Sequence, residues 1–103
     1  MNEAYYFRIG LLDFILNIQT SRVGYSYPRV FVRFPDNSYV NIDFTLGRAF
    51  AMSEASWNSW LDGSHVVLDT IKQVRDKFTA AGLNWDAFDA LIFSLYDEHK
   101  EEC

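Results

Sequence analysis

Few side chains in this sequence could carry chemistry. Two histidines, His65 and His99, and one cysteine, Cys103, are the candidate metal ligands and nucleophiles. His99 and Cys103 have metal-like spacing, but two ligands are too few for a rigid centre. Neither histidine has a serine or cysteine placed as a nucleophile, and the chain holds no glycine-rich phosphate loop, nucleophile elbow or histidine–glutamate zinc helix. The expectation is a protein with no catalytic residues, no metal and no cofactor, hence not an enzyme.

Two other groupings could recognise a partner. The first is an arginine and aromatic set, Arg29, Phe31, Arg33, Tyr39 and Asp43, which falls on one face if residues 29–34 and 39–44 form a hairpin. Aromatics interleaved with arginines resemble, in residue type, platforms that stack bases of single-stranded nucleic acid. Another layer covering this face, with Arg33 paired to Asp43 on the diagonal, is the structural alternative.

The second grouping is Asp86, Asp89, Phe93 and Asp97, which recur at helical spacing, with Glu98 near their end. Phe93 lies inside this acidic stripe. Exposed, it would make an aromatic anchor ringed by carboxylates, suited to a basic protein. Tucked under a loop, it would be ordinary packing. Trp57 and Trp60, three residues apart, are neighbours on one helix face and are expected in the core, with an oligomer interface as the functional alternative.

The elements that must position these residues follow from periodicity. Arg29–Phe34 and Tyr39–Phe44 alternate, with turn residues between them. A three-residue loop, Asp36 to Ser38, would set Phe34 opposite Val40 and put Val30, Val32, Phe34, Val40, Ile42 and Phe44 on one face. Helices are expected over about 53–62, 64–81 and 85–99, capped by Ser53, Ser64 and Asn84 and ended in the first two cases by Gly63 and Gly82. The stripe of the second is Val67, Ile71, Val74, Phe78 and Ala81.

Residues 3–19 are apolar on every side. A buried helix is the preferred reading, although Gly10 weakens it, and one or two buried strands are the alternative. Phe50 and Met52 suggest a buried crossing within 45–52. The fold expected is α+β, an antiparallel hairpin or small sheet packed against helices.

The 103 residues match one domain, 1–103, and half are hydrophobic, enough to build a core without disulfides. With a single cysteine, no apolar run of membrane-spanning length, and Glu3 and Arg8 interrupting the first stretch, the expectation is a cytoplasmic chain that does not contact membranes. The net charge of −5 is unevenly spread: residues 1–50 carry +1, all their bases being arginines, and residues 51–103 carry −6. Overall acidity opposes nucleic-acid binding, which depends on neutralising phosphates.

The sequence therefore points to a non-enzymatic protein-binding module. Small acidic inhibitors, immunity proteins and anti-defence proteins of phage or cell are of this kind, with a basic or nucleic-acid-handling protein as partner. A nucleic-acid-binding module using the sheet face, and a structural homo-oligomer such as a homodimer, are the alternatives.

Overall fold

The computed structural model describes all residues except Met1, Ser21, Tyr25, Thr45, Ser64 and Cys103; for Asn2, Thr20, Ser26, Leu95, Tyr96 and residues 98–102 it describes the backbone alone. The fold is α+β, and the described residues form a six-stranded sheet with three helices. Strands β1 (Asn2–Ile9), β2 (Leu12–Thr20), β3 (Ser26–Arg33), β4 (Tyr39–Asp43) and β5 (Arg48–Met52) form an antiparallel meander. Helix α1 (Glu54–Asp62) then carries the chain to the far edge, where β6 (His65–Val67) pairs parallel with β1. Helices α2 (Ile71–Ala80) and α3 (Trp85–Glu102) complete the fold.

The N-terminal segment is two strands, not a helix. Ile9 pairs with Leu12 across a two-residue loop, Gly10-Leu11. Gly10 has φ 61 while Leu11 is not among the positive-φ residues, the pattern of a type II′ turn, which needs glycine first. Helical periodicity misled because both faces of these strands are covered, so both parities are apolar.

On one face, Phe7, Phe14, Leu16, Val30, Val32 and Ile42 pack against Val74 and Phe78 of α2 and Phe88 and Ile92 of α3. On the other, Ala4, Ile15, Phe31 and Tyr39 pack beneath Trp57 of α1, with Tyr6, Met52, Trp60 and Leu61 around them. Trp57 is fully buried, so the tryptophan pair belongs to this second core.

The 29–44 hairpin forms with the expected faces and a different loop. Val32 pairs with Val40 and Val30 with Ile42. Phe34 N–H donates to the Ser38 carbonyl, and Asn37 N–H to the Phe34 carbonyl, both at 2.9 Å. The loop is thus Pro35-Asp36-Asn37, with Asn37 at φ 66 and Asp36 Oδ1 accepting from Ser38 N–H at 3.0 Å. Proline suits the first corner of such a turn and asparagine tolerates the left-handed one. The register moves by two residues, which leaves each side chain on its expected face.

The bond from Phe34 shows that alternate residues of β3 turn their backbone groups toward β4. Val32 and Val30 pair there, and Pro28 comes next with no N–H to offer. The ladder ends before it. A cavity of about 670 Å³ opens beyond, between Tyr27–Arg29, Asp43, Phe44, Phe50 and the α2–α3 turn.

The helix expected over 64–81 starts later. His65–Val67 is strand, with the Leu68 N–H extending the edge to the Tyr6 carbonyl at 2.8 Å. Thr70, not Ser64, caps α2, in a reciprocal box with Gln73; Ser64 lies outside the described residues. Consequently Val67 and Ile71 are exposed, while Val74 and Phe78 are buried as expected. Ser53 caps α1, and Asn84 Oδ1 accepts from the Asp86 and Ala87 N–H groups at the start of α3. Residues 48–52 are an edge strand, and Phe50 is exposed rather than part of a buried crossing.

Candidate functional site

The sheet end that carries the β1–β2 turn brings together three features. The first is a cross-strand ladder of charge. Arg8, Asp13 and Arg33 are direct partners on β1, β2 and β3. Asp13 is buried, at 3% exposure. Its Oδ1 accepts from Arg8 Nε at 2.7 Å and from the Tyr6 hydroxyl at 2.8 Å, and its Oδ2 accepts from Arg33 Nε at 2.9 Å and from Arg33 Nη2. Burial alone would push the Asp13 carboxyl up; the hydrogen bonds from Arg8, Arg33 and Tyr6 together outweigh it and hold the carboxyl below the ordinary aspartate value. Burial, then the bond to Asp13, pushes the Tyr6 hydroxyl up. The Arg33 guanidinium also lies 5.8 Å from the Trp57 ring centroid, tying the ladder to α1.

The second feature is an apolar cavity of about 330 Å³ between the β1–β2 turn and α3. Ile9, Leu11, Leu12, Phe88, Ile92 and Phe93 line it, with Gly10 and Asp89. Leu11 and Phe93, on its lining, stand at 68% and 63% exposure, so two large apolar side chains face water at the mouth of an apolar cavity. The third is the acidic stripe of α3. Asp86, Asp89 and Asp97 are all exposed and share the side of Phe93. Phe93 is therefore not tucked under a loop. The Glu98 side chain lies outside the described residues.

The alternative sheet face is taken apart by α1. Phe31 is 2% exposed, its ring stacked on Trp60 at 5.4 Å, and Tyr39 lies against Trp57 at 5.6 Å. Arg33 pairs with Asp13, not with Asp43. Asp43 instead accepts from the Leu46 N–H at 3.0 Å, closing the β4–β5 turn. Of that set, Arg29 alone is exposed. Near it, Tyr27 and Phe50 line the larger cavity, with Arg48 set 5.0 Å from the Phe50 ring centroid.

His65 is exposed on β6, and His99 and Cys103 lie outside the described side chains. Among the described residues, no three His, Cys, Asp or Glu side chains cluster as metal ligands, and no helix is long and apolar enough to cross a membrane.

Sequence reasoning passed over Tyr6, Arg8, Leu11 and Asp13. A signal was present. Asp13 is the one acid inside an apolar run, and a two-residue turn at Gly10-Leu11 would have paired it with Arg8.

Comparison of the chain with protein-family models, with curated proteins and with solved structures returned no match.

Proposed function

We propose that this chain is a non-catalytic protein-binding module whose contact is the Leu11–Phe93 end of the sheet. The observation that carries the reading is the pair of exposed apolar side chains beside an open apolar cavity. Such a site suits an apolar side chain of a partner as anchor, and aromatic anchors commonly dominate binding energy. Asp86, Asp89 and Asp97 on the same side of α3 favour lysines or arginines around that anchor. The partner is thus a basic protein offering an apolar side chain flanked by positive charge. An inhibitor or immunity-type protein that occludes a basic, nucleic-acid-handling surface is the function this contact would serve.

The test is affinity capture on tagged protein at low and moderate salt after nuclease treatment. Wild type is expected to retain a basic partner in stoichiometric amount. The variant with Phe93→Ala, Asp89→Lys and Asp97→Lys is expected to lose it while keeping its circular dichroism. Equal retention by wild type and variant would reject this contact, as would recovery of nucleic acid alone.

A further inference from the structure

We infer that the Arg8–Arg33 pair, clamped by Asp13, is a binding site for one carboxylate group, carried by a small organic acid or by the C-terminus of a peptide. The site adjoins the proposed partner contact across Leu11, which lines both cavities. A cavity of about 320 Å³ opens there, lined by Arg8, Leu11, Asp13, Arg33, Phe34, Pro35 and Asn37. That is the lower range of small-ligand pockets.

Four features shape the ligand. Guanidinium N–H groups match a planar carboxylate, and both side chains are already anchored to Asp13, Arg8 through Nε and Arg33 through Nε and Nη2, which leaves the Nη groups of Arg8 and Nη1 of Arg33 for a ligand. Anchoring removes ordering that a ligand would otherwise have to impose. Asp13 itself is buried, while the Arg8 side chain is 61% exposed and that of Arg33 31%, so a ligand meets cations before it meets the carboxylate beneath. Two guanidiniums against one carboxylate leave a single positive charge. A monoanion balances it, whereas a phosphate dianion would leave excess negative charge near Asp13. Leu11 and Pro35, both exposed, give the rest of the ligand an apolar wall.

The experiment is an NMR titration of the Arg8 and Arg33 Nε–H resonances with acetate, N-acetyl-leucine, N-acetyl-leucine amide and inorganic phosphate. Acetate and N-acetyl-leucine are expected to saturate with dissociation constants on the order of millimolar. The amide is expected to have no effect, and phosphate to bind more weakly than acetate. N-acetyl-leucine binding tighter than acetate assigns the site to a peptide terminus; equal binding assigns it to small acids. Arg8→Gln, an exposed change, is expected to weaken acetate binding by roughly fivefold or more. Asp13→Asn raises the site to two positive charges and is expected to reverse the preference toward phosphate. Absence of saturable shifts, equal binding of the amide, or an Arg8→Gln variant that binds as wild type would each overturn the assignment. Should Asp13→Asn fail to fold, Arg8→Gln decides alone.

Discussion

Asp13 is the buried acid on which three polar side chains, Tyr6, Arg8 and Arg33, converge. It joins β1, β2 and β3 through direct cross-strand partners and reaches α1 through the stacking of Arg33 near Trp57. Because its folded carboxyl is held below the ordinary aspartate value, it stabilises the fold above that ordinary value, and the contribution fades as pH falls toward the lowered one. Denaturant titrations between pH 7 and pH 2 are expected to show an acid loss of stability in wild type that shrinks in Asp13→Asn. An unchanged acid slope would remove Asp13 from this role. Arg33→Ala, which strips the buried carboxylate of its two-nitrogen partner, is expected to cost about 3 kcal/mol. The same titration at neutral pH measures it. Trp57 presents a second residue-scale feature: its Nε1 is buried with no hydrogen-bond partner among the described residues, as is Asn17 Oδ1.

At the scale of elements, the β1–β2 hairpin decides both candidate sites, since its turn separates them. Gly10 at φ 61 has open space where a Cβ would stand, so only backbone strain opposes substitution. Gly10→Val is expected to destabilise by about 1–2 kcal/mol, with Leu11 displaced from the cavity mouth. A denaturation curve matching wild type would show that the turn does not need glycine. This hairpin was hidden in the sequence because Tyr5, Phe7, Leu12, Phe14 and Leu16 face α2 and α3 while Ala4 and Ile15 face α1. A strand covered on both sides loses the alternation that identifies it. The 29–44 hairpin kept its alternation and was legible, because α1 leaves Arg29 and Asn41 uncovered or half covered on one face. The helix ends were legible where a capping side chain stood alone, as at Ser53 and Asn84. The start of α2 was not legible in the same way: it lies at Thr70, where Gln73 completes a capping box, and not at Ser64.

At the scale of the molecule, charge and covering layers are segregated together. Arg8, Arg29, Arg33 and Arg48 sit on the sheet, while the excess of acids lies in the chain after residue 50, where Asp86, Asp89 and Asp97 line the exposed side of α3. Segregation of this kind steers a basic partner toward α3, and the attraction weakens as salt shortens its range. The acidic stripe was legible from spacing alone. The cavity beside Phe93 was not, because it depends on which turn lies against α3, and that turn sat in the segment with no readable period.

The most direct test of the central claim is amide hydrogen exchange of this chain alone and in complex with its captured basic partner. Slowed exchange is expected at residues 9–12 and in the 86–93 stretch of α3, and nowhere else. Slowed exchange at residues 27–31 and 48–52 instead, with the Leu11–Phe93 end unchanged, would contradict it and move the contact to the open sheet face around Arg29 and Phe50.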